Sequence, residues 1–210
     1  CGLNIPSKLI PTKSSRLCET KKIRVLVMAP AVTPSLTISF IKPFSLIPHL
    51  VDYKLIYETG DDVLGRDPGK EANARRCKQI LDTFQPDVLI LCRYANKDAI
   101  QLSAMCNASN VKVIYYTDDM LFKPSTDVLD AKKYANYKKR APVILDLIKK
   151  SDLLYCSTPA LKKELAITTN HPNIHVGKIC LSVNPGSMTL DKNKKKVIGY
   201  TGFGHTQDLE

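Results

Sequence analysis

Two short stretches of this chain gather the side chains best suited to chemistry. Arg93-Tyr94 follows an apolar run, Val88-Leu89-Ile90-Leu91-Cys92, and Thr117-Asp118-Asp119 follows another, Val111 to Tyr116. A guanidinium grips phosphates and carboxylates with paired donors. A carboxylate pair orients sugar hydroxyls, acts as a general base, or holds a divalent cation. Each stretch also has a plain structural reading, in which the aspartates close a turn and cap a helix while Arg93 pairs with them. The residues alone leave both readings open. Ser157-Thr158-Pro159 follows a third run, and a threonine before a proline at the first helical position is read as capping chemistry. Near the end, Gly202-Phe203-Gly204-His205 offers glycines that let backbone N–H groups approach a phosphate, although a bare G-x-G is a weak signal. His49, His171 and His175 have no partner at useful spacing and are read as structural or surface residues.

These residues matter only if strand ends present them, and the sequence pattern places such ends. Ile23 to Met28 is a β-branched run of the kind found in a buried parallel strand, followed by a loop over 29–37. A helical pattern over 38–50 is interrupted by Pro43 and Pro48, and Lys54 to Tyr57 reads as a second strand. Turn chemistry fills 58–68, and a helix spans 69–84. The strand 88–92 leads to a helix over 97–108 and a strand over 111–116. A connection over 117–140 with a polar helical piece precedes a helix at 141–150, a strand at 153–156 and a helix at 159–166. Strands alternating with helices predict parallel βαβ units, and hence a Rossmann-like doubly wound α/β sheet. In such sheets ligands bind beyond the carboxyl ends of the strands, where Arg93 and Asp118-Asp119 fall.

The 210 residues carry +11 net charge, a sequence pI near 9.3 and 44% hydrophobic residues. That excludes collagen-like, low-complexity and disordered classes, and no apolar run approaches the roughly 18 residues of a membrane span. No signal-peptide order is present at the N-terminus. The charge favours anionic partners: nucleotides, nucleic acid or an acidic membrane surface. Lysines crowd 132–150 and 192–196, runs that most often form solvated helix faces or linkers. Aromatic residues make up only 7%, and none but Tyr134 and Tyr137 stands beside the first basic run, which argues against nucleic-acid stacking. The seven cysteines show neither paired nor zinc-ligand spacing and read as small core residues of a reduced, cytoplasmic protein. Cys1 reads as the start of a piece cut from a longer chain, in preference to a lipid-anchored terminus. The first loop, Ala29-Pro30-Ala31-Val32-Thr33-Pro34-Ser35, lacks G-x-G-x-x-G, which argues against a nicotinamide-dependent oxidoreductase.

Residues 1–22 read as a linker or tail, 23–183 as one Rossmann-like domain and 184–196 as a basic connector. Val197-Ile198-Gly199-Tyr200 and the glycine loop then open a second α/β domain, so 197–210 reads as its truncated start.

In order and spacing, several segments resemble the two-domain GT-B glycosyltransferases, in particular family 4-like enzymes of bacterial surface polysaccharide assembly. They are Ile23 to Pro30, Phe40-Ile41-Lys42-Pro43-Phe44, Cys92-Arg93-Tyr94, Tyr115 to Leu121, Ser157 to Leu161, and Val197 to Leu209. The resemblance implies transfer of a sugar from a nucleotide-sugar to a glycan or lipid-linked acceptor. Asp118 and Asp119 would then be catalytic, and Arg93, Tyr94 and Lys42 would bind substrate. Gly202, Gly204 and His205 would meet the donor phosphates. It further implies retention of anomeric configuration, no metal, and no cofactor beyond the nucleotide-sugar co-substrate. The donor grip would lie in the rest of a C-terminal domain, so the piece alone would be inactive. The enzyme would work in the cytoplasm, peripheral to the inner face of an anionic membrane, without nucleic acid. The alternative is a non-catalytic Rossmann-like module that binds a nucleotide or glycan. A phospho-acceptor receiver domain is disfavoured, because Ala29-Pro30 supplies no carboxylate at the first strand end.

Overall fold

Ile23–Ala29 forms the strand β1, and every residue from Val25 to Ala29 is buried. Leu26 and Met28 face one apolar layer, while Val25, Val27 and Ala29 face the other. Burial on both sides is what an all-parallel sheet demands, and it is why this run is apolar without alternation. The structure is a computed structural model and describes residues 21–57, 70–122 and 131–177. The glycine loop, the connector, the second-domain start and the turn chemistry at 58–68 lie outside those residues.

The remaining strands are β2 (Val51–Tyr57), β3 (Val88–Cys92), β4 (Lys112–Thr117), β5 (Leu153–Cys156) and β6 (Ile174–Val176). They assemble into a six-stranded sheet in the order β2-β1-β3-β4-β5-β6, with every pairing parallel. The helices are α1 (Pro34–Leu36), α2 (Lys42–Leu46), α3 (Lys70–Phe84), α4 (Asp98–Ala108), α5 (Ala131–Lys150) and α6 (Pro159–Thr169), with a π-helical turn at Thr37–Ile41 joining α1 to α2. Cys77 of α3, Leu102 of α4, Leu147 of α5 and Leu165 of α6 fill one face of the sheet, and Leu36 and Phe40 cover the other. The fold is therefore the doubly wound parallel sheet that the alternating pattern predicts. The chain runs from β1 to β2 on one side and then crosses to β3 on the other, so the strand order reverses between β1 and β3. A crevice opens at such a switch point, beyond the carboxyl ends of those two strands.

The opposite end of the sheet is closed by a repeated device. Asp87, just before β3, accepts from the backbone N–H of Arg24 at 2.8 Å, and Asp152, just before β5, accepts from that of Val113 at 2.8 Å. Both carboxylates satisfy backbone donors at the amino ends of neighbouring strands. They are fully explained by the fold, which singles out Asp118 and Asp119 at the other end.

Four elements differ from expectation, each for an identifiable reason. The pattern over 38–50 becomes a bent helical stretch over 34–46, since Thr33 caps it and Pro43, lacking an N–H, removes one bond of the α ladder where the turn has widened to π. β2 begins at Val51, three residues early, because its backbone pairs with β1 from Ile23 onward. α5 does not start at 141 but runs through Pro142, whose ring stands on the exposed side of the helix. β6 is three residues long and mixed in polarity, too short to register as a run. The cysteines behave as expected where they are described: Cys77, Cys92, Cys106 and Cys156 are buried and unbridged. Among the described residues no helix is long and apolar enough to cross a membrane.

Candidate functional site at the carboxyl end of the sheet

β3 ends at Cys92, and Arg93 then turns into the left-handed region with φ 54°. An L-residue there carries roughly 1–2 kcal/mol of steric cost unless it is glycine. Asn110 and Asn170 also have positive φ, but asparagine tolerates it, and Gln85 does so just past the last residue of α3, where helices commonly end. Arg93 has no such excuse. The turn is held by its backbone N–H, which donates to the Tyr116 carbonyl at 2.9 Å, and by what its side chain meets.

The guanidinium spans both aspartates that follow β4. Nη1 lies 2.6 Å from Asp118 Oδ1 and Nη2 lies 2.9 Å from Asp119 Oδ2. Thr117 Oγ1 donates to the Asp119 carbonyl at 2.6 Å, folding the turn so that both carboxylates point back toward β3. On the far side of Asp118, Ser35 Oγ donates to Oδ2 and is itself within 3.5 Å of Arg93 Nη1. Ser35 is placed by capping: Thr33 Oγ1 accepts from the Leu36 N–H at 3.2 Å, and Pro34 opens the helix. Ser157 Oγ, after β5, reaches the Asp118 carbonyl at 3.4 Å. Strand ends β1, β3, β4 and β5 thus converge on one charged cluster.

Its electrostatics follow from that crowding. Burial opposes the charge of Arg93, yet Asp119 and Asp118 outweigh it and hold the guanidinium above its ordinary range. Asp119 is pushed up by burial against the pull of Arg93, and the neighbouring Asp118 adds to the rise. Cys92 is no nucleophile, since burial, with Asp118 adding, raises its thiol to about 12.

Beside the cluster lies a cavity of about 590 Å³, bordered by Thr33, Ser35, Arg93, Tyr137 and Arg140 among others. Its polar wall is cationic and hydroxylic. Asp118 and Asp119 hold Arg93 without themselves bordering the cavity, and the same aspartates that aim it screen its charge. Such a wall suits a hydroxylated ligand with an acidic group. Among the described residues no three His, Cys, Asp or Glu side chains gather as they would around a metal ion.

No family model and no curated protein matches the chain. Among solved structures it is similar to the N-terminal domain of the nisin resistance regulator NsrR, a lantibiotic response regulator, at 12% identity and a TM-score of 0.33, over 72% of this chain and 98% of that one. It is also similar to a conserved protein from Enterococcus faecalis V583, at 11% identity and a TM-score of 0.40, over 70% of this chain and 99% of that one. Neither is described as a glycosyltransferase and no family model matches, so the resemblance to family 4-like GT-B enzymes is overturned. The residues that carried it mostly serve the fold. Tyr115 and Tyr116 are buried sheet residues, Val25 to Ala29 are core, and Thr158 caps α6 by accepting from the Leu161 N–H at 3.2 Å. Any doubly wound sheet needs apolar strands followed by capped helices, so these stretches report architecture.

The expected site residues divide accordingly. Arg93, Asp118 and Asp119 come together. Tyr94 does not face the cleft: the Arg93 turn sends it inward, its side chain is 1% exposed, and its carbonyl accepts from Tyr115 Oη at 2.9 Å. Lys42 is exposed at the start of α2 and is not among the residues bordering the cavity, since Phe40, two positions earlier, is the residue turned into the core. Gly202, Gly204 and His205 lie outside the described residues. Sequence reasoning missed Ser35 and Arg140. Thr33-Pro34 repeats the Thr158-Pro159 capping pattern and would have signalled Ser35, whereas nothing local marks Arg140.

Proposed function

We propose that this chain is the acceptor-side part of a glycosyltransferase that moves a sugar from a nucleotide-sugar to a glycan or lipid-linked acceptor. The observation that carries the reading is Arg93, held in a left-handed turn at the switch point and clamped by Asp118 and Asp119 beside a hydroxylic, cationic cavity. Backbone strain of this kind persists where the surroundings over-determine it, and it concentrates at functional sites. In the transfer, the acceptor hydroxyl oxygen bonds to the anomeric carbon as the bond from that carbon to the diphosphate oxygen breaks. The diphosphate leaves with the electron pair, and the hydroxyl proton passes to a base. Asp119 suits that base, because it is half-exposed and its proton affinity is raised. The excess of basic residues supplies positive charge against the anionic donor. The same excess would favour peripheral contact with an anionic membrane.

A non-catalytic module for a nucleotide or glycan is the second reading. It is favoured by Asp118, both of whose oxygens are already engaged by Arg93 and Ser35. The deciding experiment measures transfer of radiolabelled sugar from uridine-, guanosine- and thymidine-diphosphate donors to lipid-linked and soluble glycans, using the natural full-length polypeptide. Asp119→Asn is expected to lower transfer about a hundredfold or more while binding persists. Absence of transfer from every donor, or transfer unchanged in Asp119→Asn and in Arg93→Gln, would overturn the catalytic reading.

A further inference from the structure

Among the described residues two cations border the cavity, and they differ. Arg93 is neutralised by Asp118 and Asp119, each within 3 Å of its guanidinium. Arg140, on α5, borders the same cavity, is exposed, and has no carboxylate partner among the described residues. Its charge reaches inward: burial pushes the Tyr115 hydroxyl up, and Arg140 is the largest influence opposing that rise. Lys138 and Lys139 precede it on the helix and are also exposed, so nothing beside it in sequence cancels the charge. The same cavity is bordered by the hydroxyl-bearing Thr33, Ser35 and Tyr137, with Ser35 Oγ 3.5 Å from Arg93 Nη1.

We infer that Arg140 is the anion receptor of this site, and that the ligand seated in the cavity carries a phosphate group at the end away from Arg93. The inference rests on the sugar-binding reading above and narrows it to phosphorylated sugars. A phosphate meeting a guanidinium that has no carboxylate partner among the described residues gains two parallel hydrogen bonds and a charge–charge attraction, whereas a neutral sugar offers only single hydroxyl acceptors without that attraction. Arg93, already held by two carboxylates, meets hydroxyl oxygens through its remaining donors.

The test is a nuclear magnetic resonance titration of the protein with glucose 1-phosphate, glucose and inorganic phosphate, repeated on Arg140→Gln and Arg140→Lys. Because Arg140 is exposed, both variants are expected to fold, and their amide spectra verify it. Glucose 1-phosphate is expected to bind roughly ten- to a hundredfold more tightly than glucose. Arg140→Gln should abolish that preference without altering glucose binding, and Arg140→Lys should keep part of it. Equal binding of glucose and glucose 1-phosphate, or a preference that survives Arg140→Gln, overturns the inference and leaves the sugar reading standing. Glucose 1-phosphate and inorganic phosphate binding alike, both lost in Arg140→Gln, would uphold the anion receptor and refute the sugar reading. Binding of none of the three overturns both.

Discussion

Replacing Arg93 tests the whole cluster, because one side chain carries both ion pairs and its own backbone strain. Its side chain is 28% exposed, against 20% for Asp118 and 51% for Asp119. Removing one member of a fully buried pair costs about 3–5 kcal/mol, and an exposed pair is worth about 0–1 kcal/mol. Discounted for this exposure, the Asp118 contact contributes about 2 kcal/mol and the Asp119 contact about 0.5 kcal/mol. Arg93→Ala is therefore expected to lower stability by about 2–3 kcal/mol, or about 5–10 °C in Tm for a domain of this size. Alanine keeps the left-handed strain, whereas glycine relieves it, so Arg93→Gly should be about 1 kcal/mol more stable than Arg93→Ala. Urea unfolding followed by circular dichroism measures both at pH 7 and at about pH 3, below the ordinary carboxylate range. Acid lowers the negative charge that the substitution leaves without its partner, most readily at Asp119, so the alanine penalty should shrink there. An Arg93→Ala variant within about 0.5 kcal/mol of the parent would refute the ion-pair account. A glycine variant less stable than the alanine one would refute the strain account.

Two further outcomes are expected. The folded-state pKa of Asp119 is raised, so the stability from its protonated form is complete below the unfolded value and is lost as pH rises through the folded one. Asp119→Asn should consequently gain in Tm relative to the parent as pH rises across that window, and a relative loss would contradict the burial effect. Pro142→Ala restores an N–H inside α5 and should stabilise by about 1–2 kcal/mol, read as a higher Tm, with a fall in Tm counting against an unstrained helix at that point.

What the sequence disclosed and what it concealed divide along physical lines. Val88 to Cys92 and Leu153 to Cys156 were legible because a buried parallel strand must be apolar throughout. Arg93, Asp118 and Asp119 were legible because ligands sit beyond strand ends, so position alone nominated them. Tyr94 was misplaced because that same rule says nothing about a left-handed turn, and one residue of reversed φ exchanged cleft for core. Arg140 was invisible because its place at the cavity depends on a helix that passes through a proline instead of starting there. Pattern reaches the elements, but contacts between elements distant in sequence require the packed fold.

The position of β1 between β2 and β3 also sets an order of events during synthesis. β1 is made first and meets β2 soon after, but its second edge must wait for β3, with Arg24 and Asp87 separated by 63 residues. At about 5–20 residues per second, the ribosome leaves that edge unpaired for roughly 3–13 s. An apolar strand with a bare hydrogen-bonding edge is a template for association with other chains. The nascent chain therefore passes through an interval in which chaperone capture competes with intermolecular pairing. Slowed elongation between Tyr57 and Val88 should lengthen that interval and lower soluble yield, while the finished protein stays equally stable.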